Sequence, residues 1–455
     1  MAPGTALAAS EHPCYAMEQM SDDFFFDPAE HTRRLLSALS EPQFRKYWPS
    51  LQSFMSRSRA SQSAPVDLLA LQAEMARELR GAQESQRKLE KQLAKTSNSQ
   101  DTVELNSLVG ATKRIGYVIR QIADGIAWRA LDYDRPLIQV LAMKPIAGQV
   151  NLLNTPQELE AAARYVAATG GIALINDLTN VLRYGDWMGI RQDGAFFIGE
   201  EKAGKGSRKS GRATRQRQRL RQILEFCRKG VGLTPEGFSQ VFVHGVRLKT
   251  HLQAIRQLLL DARSGGSAHA RLSECVAVDV WHMESVLDDG ARLVLHNPFA
   301  ATSDTVTSHS LLFFDKMSAS PAPYSIFPFS DHDCADLMIG ATCLIGHFDL
   351  GRLFRLFREQ GLDVIQQSED EACAFAELDI GEKRRRRDEI AYRISQPGRP
   401  GALLLSGGDI GRLCFEFMHE ESLVEAAEES LVEFGGVPAP VAVFSVFPNE
   451  REVWE

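Results

Sequence analysis

Two acidic positions and a lysine, separated by a predicted β-hairpin, could together bind a metal ion and hydrolyse a phosphodiester. Asp186 lies fourteen residues before Glu200, and Glu201 and Lys202 follow at once. Asp193-Gly194 between them is typical of a hairpin turn, so the two strands should pair. Two carboxylates held close together suit Mg²⁺ or Mn²⁺, and a lysine beside them could orient a water nucleophile or stabilise charge on the phosphate.

The length of the hairpin loop decides which glutamate lies opposite Asp186. If residues 192–194 form a three-residue loop, position 186 pairs with position 200, and the two side chains share a face of the sheet. If only Asp193-Gly194 form the turn, Asp186 faces Glu201. The sequence leaves both registers open, with Glu200 the first choice as a metal ligand and Glu201 the second.

A strongly basic segment follows the hairpin. From Lys202 to Lys229 the chain has eleven basic residues and one acid, Glu225, although its formal net charge is −8. A helix predicted over about 212–229 places Gln216 on the side that faces the sheet. Such a cluster is typical of binding to a phosphate backbone. The basic residues expected to bind nucleic acid are Arg208, Lys209, Arg212, Arg215, Arg217 and Arg219.

Asp186, the Glu200-x-Lys202 triplet and Gln216 together resemble the motif of the PD-(D/E)xK nuclease superfamily, the restriction-endonuclease-like fold. The resemblance covers roughly 100 of the 455 residues, and Gly185 stands where the family pattern has proline. It implies an α/β protein with an α-β-β-β-α-β core. It also implies site roles: Asp186 and Glu200 as metal ligands, Lys202 as the catalytic lysine, Gln216 as an assisting glutamine, and Glu158 or Glu160 as a carboxylate on the first helix.

The function that this resemblance implies is a Mg²⁺- or Mn²⁺-dependent nuclease that hydrolyses DNA, as an effector of bacterial restriction or anti-phage defence. The alternative is a non-catalytic coiled-coil scaffold whose nuclease-like domain binds nucleic acid or a partner without cutting.

The predicted domain organisation has four parts. Residues 1–64 form a loosely structured segment, 65–100 a coiled-coil helix, 101–265 the nuclease-like domain, and 268–455 an α+β domain for sensing, partner binding or assembly. The 65–96 helix predicts a homo-oligomer, with a long helix that packs on its own domain as the alternative. Its apolar seam consists of Leu68, Leu71, Met75, Leu79, Ala82, Gln86, Leu89 and Leu93.

Composition indicates a globular cytoplasmic protein without a membrane partner. Hydrophobic residues make up 44% of the chain and charged residues 24%. No apolar run approaches the ~20 residues that a helix needs to cross a bilayer. The seven cysteines include no Cys-x-x-Cys pair, which favours individually buried, reduced thiols over a disulfide framework or a zinc site.

A further acidic cluster and a single aspartate are better explained by helix capping than by metal binding. Asp331, His332, Asp333 and Asp336 have the chemistry of metal ligands, but Ser330 or Asp331 is expected to cap a helix there. Asp349 precedes a strongly amphipathic segment and is expected to cap it in the same way.

Overall fold

The computed structural model describes residues 42–96, 98–142, 155–199, 218, 221–226, 228–234, 237–283, 298–299, 306–310, 322–367, 391–398, 402–405, 407–434 and 442–455. These residues form helices and small, mostly antiparallel sheets, which confirms the expected α/β class.

The helices of the described residues have the bounds Pro42–Ala60 (α1), Pro65–Leu93 (α2), Ser99–Ala130 (α3), Arg135–Ala142 (α4), Thr155–Thr169 (α5), Leu252–Gly265 (α6), Asp331–Ile339 (α7), Leu350–Glu359 (α8), Gly407–Phe415 (α9), Glu420–Phe434 (α10) and Glu450–Trp454 (α11). Residues 221–226 and 228–229 are also helical. The strands are Ile172–Ile175 (β1), Trp187–Ile190 (β2), Phe196–Gly199 (β3), Val231–Thr234 (β4), Gly237–Val243 (β5), Ser267–Arg271 (β6), Val276–His282 (β7), Val306–Ser310 (β8), Thr342–Asp349 (β9), Asp363–Gln367 (β10), Ala391–Ser395 (β11), Leu403–Leu405 (β12) and Ala442–Val446 (β13).

Helices α2 and α3 form a helical hairpin whose apolar stripes face each other within one chain. The seam of α2 is buried as far as Ala82, and it packs on α3, whose stripe includes the buried Ile115, Ile119 and Ile122. This is the packing expected of a long helix on its own domain. The homo-oligomer stays a prediction, and the seam from Leu68 to Ala82 is already occupied within the chain.

The segment 1–64, predicted to be loosely structured, contains the ordered helix α1. Leu51, Phe54 and Met55 of this helix are buried in the main core, and the helix packs on α3. The many Ser, Gln and Arg residues between 50 and 63 hid these three apolar positions, whose spacing of three and four places them on one helical face. Residues 1–41 lie outside the described residues.

The first sheet has the order β1-β2-β3, with both pairs antiparallel. Helix α5 packs on β1 and β2. The outer edge of β1 is covered by α2, because the buried side chain of Gln72 donates to the carbonyl oxygen of Ala173 at 2.8 Å and accepts from the amide of Ile175 at 2.8 Å. A buried glutamine thus takes the place of a further strand at this edge.

The second sheet joins the middle of the chain to its end. Its order is β13-β5-β4, and β13 pairs parallel to β5, with Ala442 opposite Ser239. The predicted division between 101–265 and 268–455 is therefore not a boundary between independent domains. Gly266 has φ +79° immediately after α6, so that the chain turns directly into β6.

The third sheet has the order β6-β7-β9-β8, and all of its pairs are antiparallel. Helix α6 packs on β6 and β7, and every residue of β9 is buried. A fourth antiparallel sheet has the order β10-β11-β12. Helices α9 and α10 are separated by residues 416–419, where Phe417 has φ +52° and Met418 forms a bridge to Thr250.

Both capping predictions are confirmed. The Ser330 hydroxyl accepts from the amide of Asp333, and the Asp349 carboxylate accepts from the amide of Arg352. Asp333 and Asp336 are further engaged by Arg263, at 2.7 and 3.3 Å.

Four cysteines lie in the described part of the chain, namely Cys275, Cys334, Cys343 and Cys414. All four are buried free thiols. Among the described helices, none has the length and apolar character needed to cross a membrane.

A buried network of four charges joins α4, α9 and α11. Arg135 binds both carboxylate oxygens of Glu416 at 2.8 Å and contacts Glu450 at 2.9 Å. Arg412 contacts the same two glutamates at 3.0 and 2.8 Å. None of the four side chains is more than 5% exposed. Burial alone would lower the pKa of Arg135, but the attraction of the two carboxylates outweighs it and raises that pKa.

Removing one member of this network should destabilise the folded protein. We expect Arg135→Met to lower the free energy of unfolding by about 3–5 kcal/mol, because Glu416 and Glu450 would stay buried with only Arg412 to neutralise them. Urea unfolding at neutral pH measures the loss. Arg164→Met is the control, since it breaks an exposed ion pair with Glu160 and should change stability by less than about 1 kcal/mol. Equal losses in the two variants would contradict the role of the network.

Candidate active site

The β2–β3 hairpin has the three-residue loop that the first register requires. Trp187 is paired with Gly199 and Ile190 with Phe196, and the amide of Arg191 donates to the carbonyl oxygen of Ala195 at 2.8 Å. The loop therefore consists of residues 192–194, and Gly194 has φ +78°, as expected for the last position of such a loop. This is the register from which Glu200 was preferred over Glu201.

Asp186 lies where this hairpin departs from regular pairing. Its amide donates to the carbonyl oxygen of Gly199 at 2.8 Å, and Gly199 is also the partner of Trp187. Two consecutive residues therefore face one, as in a β-bulge, so Asp186 is held opposite Gly199, one position short of the regular pairing with position 200 that the three-residue loop predicts. The half-buried Asp186 is thus held against the residue that is covalently bonded to Glu200.

The backbone conformation at Gly185 excludes proline and any other side chain. Its φ is +72°, and a Cβ at this position would come within 2.2 Å of the Ile198 side chain and 2.8 Å of the Gly199 carbonyl oxygen. Proline is fixed near φ −65° and could not adopt this conformation. Glycine is therefore required here by the close approach of the backbone to β3.

The connection that leads into Asp186 is anchored on helix α3. The buried carboxylate of Asp124 accepts from the amides of Asn180 and Val181, at 2.6 and 3.2 Å, and from the Asn180 side chain at 2.9 Å. Arg120 donates to the Thr179 carbonyl oxygen at 3.1 Å. Burial raises the pKa of Asp124 to about 6, although the hydrogen bonds from Asn180 and Val181 oppose the rise.

The two candidate glutamates of the first helix are in opposite environments. Glu158 is 1% exposed in the first turn of α5, whereas Glu160 is exposed and pairs with Arg164 at 2.7 Å. The helix packs on the hairpin through Tyr165, whose ring lies 5.7 Å from Trp187 and 5.0 Å from Phe197. Of the two alternatives, only Glu158 is directed into the protein.

The other predicted site residues lie outside the described residues. They are Glu200, Glu201, Lys202, Arg208, Lys209, Arg212, Arg215, Gln216, Arg217 and Arg219. The end of the basic segment is described, and there Arg221 and Arg228 are exposed while Ile223 and Phe226 are buried. This helix is therefore amphipathic, with arginines on its solvent side.

A second cluster was not anticipated from the sequence. One ligand atom from each of His251, His419 and Glu420 lies within 4.8 Å of the others. Burial by itself would raise the pKa of Glu420, but hydrogen bonds to His251 and Ser273 lower it to about 2. The only local signal was the adjacent pair His419-Glu420, because His251 precedes Glu420 by 169 residues.

Comparison with known proteins adds no relative: no protein-family model, curated protein or solved structure matches this chain.

Asp124 should make stability depend on pH. Its pKa is about 6 in the folded protein and near 3.8 ordinarily, so its contribution to stability is complete below pH 3.8 and is lost as the pH rises through 6. Between pH 4 and pH 7, wild type should lose up to about 3 kcal/mol more than Asp124→Asn, which does not titrate. Urea unfolding at several pH values measures this difference.

Asp101→Asn is the matched control for this experiment, since it makes the same change at an exposed position of α3. Parallel pH profiles for wild type and Asp124→Asn would show that Asp124 does not titrate in this range.

Proposed function

We propose that this protein is a metal-dependent nuclease that hydrolyses DNA phosphodiester bonds with Mg²⁺ or Mn²⁺. The observation that carries the proposal is the β2–β3 hairpin, whose 192–194 loop holds Asp186 against Gly199, the residue before Glu200-Glu201-Lys202. Superfamily resemblance favours a cytoplasmic enzyme of bacterial restriction or anti-phage defence.

The donor set fits a hard divalent cation. Asp186, Glu200 and Glu158 would hold the ion through carboxylate oxygens, with Glu201 as the second choice, and Mg²⁺ prefers such ligands while keeping several waters. When bound, the ion lowers the pKa of a water and offsets charge on the phosphate. The half-buried position of Asp186, beside a bulge at the end of a strand, suits a carboxylate that must reach both an ion and a large substrate.

The remaining roles fall to residues of the chain itself. Lys202 would donate hydrogen bonds to the phosphate as negative charge develops on it, and Gln216 would help to orient the attacking water. The basic segment would hold the nucleic-acid backbone. Exposed Arg221 and Arg228 extend its positive surface to the end of the helix.

Support for the restriction-endonuclease-like core comes from its first half. Helix α5 followed by β1, β2 and β3 has the expected order and antiparallel pairing. After the basic helix, β4 pairs with β5 in the sheet that also contains β13. In the proposed enzyme, the catalytic hairpin and the strands after the basic helix therefore belong to different sheets.

The first functional prediction concerns Asp186 and Lys202. Asp186→Asn should abolish Mg²⁺-dependent plasmid cleavage because it removes a ligand charge, while its backbone bonds to Gly199 and Asn176 remain possible. Lys202→Ala should lower the cleavage rate by about 100-fold or more. Both variants should still bind DNA in a mobility-shift assay with Ca²⁺ in place of Mg²⁺.

Two matched controls test the assignment of these carboxylates. Asp193→Asn makes the same change in the exposed loop of the same hairpin and should cleave as wild type does. Glu158→Gln should reduce cleavage, whereas Glu160→Gln on the solvent side of α5 should not. Full activity in Asp186→Asn would place the active site elsewhere, and DNA binding without cleavage by wild type would favour the non-catalytic scaffold.

The second functional prediction concerns the basic segment. Replacing Arg215, Arg217 and Arg219 together with Gln should weaken DNA binding and flatten its salt dependence. Each lost phosphate contact removes about 0.9 from the slope of log affinity against log salt concentration. Fluorescence anisotropy at several salt concentrations measures the slope, and an unchanged slope in the triple variant would mean that this face does not contact the backbone.

A further inference from the structure

Two distant segments are joined by a short backbone pairing that brings two histidines together. Thr250 bridges Met418 in an antiparallel sense. The amide of His251 donates to the Phe417 carbonyl oxygen, and the amide of His419 donates to the Lys249 carbonyl oxygen, both at 2.8 Å. As a result the two imidazole rings lie 4.6 Å apart, centroid to centroid, with an angle of 31° between their planes.

Both histidines direct a ring nitrogen at the same carboxylate oxygen. Oε2 of Glu420, the first residue of α10, lies 3.3 Å from Nε2 of His251 and 3.7 Å from Nδ1 of His419. These distances are long for charge-assisted hydrogen bonds, which are about 2.7–2.9 Å. They are close to the separation of roughly 3.3–3.5 Å between ligand atoms around a tetrahedral Zn²⁺, whose bonds are about 2.0–2.2 Å.

The surroundings of Glu420 also suit a metal ion. Nδ1 of His419 accepts from the amide of Glu421 at 3.3 Å, and a bound metal ion would replace that amide at the single lone pair of this nitrogen. Glu420 is also hydrogen-bonded to Ser273 in the β6–β7 turn, the kind of outer contact that orients a ligating carboxylate.

Access to the cluster is from one side. The side chains of His251 and Glu420 are 6% and 4% exposed, whereas that of His419 is 26% exposed. A metal ion could therefore enter beside His419, and the same side would leave a fourth coordination position for a water.

We propose that His251, His419 and Glu420 form a Zn²⁺ site that joins the start of α6 to the start of α10. Two imidazole nitrogens and one carboxylate oxygen favour Zn²⁺ over Mg²⁺, which requires oxygen ligands. The site is separate from the carboxylates of the proposed nuclease centre and does not depend on that proposal.

The test is metal binding to the full-length protein. After treatment with a chelator and dialysis against Zn²⁺, elemental analysis should give one equivalent of tightly bound zinc, and Co²⁺ should give the visible absorption of a tetrahedral site. Zinc should also raise the unfolding temperature of wild type. His251→Gln, His419→Gln and Glu420→Gln should each weaken zinc binding by more than about 100-fold, since changing outer-shell contacts alone costs 10–100-fold.

His244→Gln is the matched control. His244 is also buried beside a glutamate, Glu429, at 3.1 Å, but it belongs to no such cluster among the described residues, so this variant should bind zinc as wild type does. The partly exposed His419 makes His419→Gln the ligand variant that should fold normally, which circular dichroism verifies. No bound zinc in wild type, or unchanged affinity in folded His419→Gln, would overturn the proposal.

Discussion

Four buried charged side chains connect helix α4 with helices α9 and α11. Arg135 and Glu450 are 315 residues apart, and neither could be buried at an acceptable cost without the other and without Arg412 and Glu416. Glu416 also accepts from the amide of Ala322 at 2.8 Å. Because every member needs its partners, the network forms only when α4, α9 and α11 are all in place, which makes these distant parts of the chain one cooperative unit.

Helix α3 contacts both that unit and the hairpin of the proposed nuclease centre, because the Arg135 guanidinium lies over the ring of Trp128 in α3, 5.0 Å from its centroid. This helix packs against α2 on one side, and its Asp124 carboxylate holds the backbone between β1 and β2 on the other. Asp186 therefore enters the hairpin from a connection that is fixed by buried hydrogen bonds. A ligand carried by a rigid scaffold needs little reorganisation when ion and substrate bind, which is the usual requirement for electrostatic catalysis.

Features encoded within a few neighbouring residues could be predicted from the sequence, and those formed by distant segments could not. Asp193-Gly194 marks the turn of the hairpin, as expected, and Gly194 has a positive φ there. Although the sequence left two registers open, the pairing of Trp187 with Gly199 selects one of them. The bulge at Asp186 depends on the positive φ of Gly185 and could not be predicted from the alternation of apolar and polar residues along the strand.

Non-local contacts account for what was missed. The sequence around Gly266 is compatible both with a turn after a helix and with a division between domains, and only the packing of α6 on β6 and β7 distinguishes the two. The sequences of β5 and β13 likewise give no indication that these two strands pair. The approach of His251 to His419 depends on the bridge between Thr250 and Met418, which no local sequence pattern predicts.

The parallel pairing of β13 with β5 has a consequence during protein synthesis. Asn449, just beyond β13, is hydrogen-bonded to Leu248, 201 residues earlier, so this sheet cannot be completed until β13 has been synthesised and has left the ribosome. Parallel strands so far apart in sequence also pair slowly. Incomplete chains that end before β13 would thus lack the closing strand of this sheet.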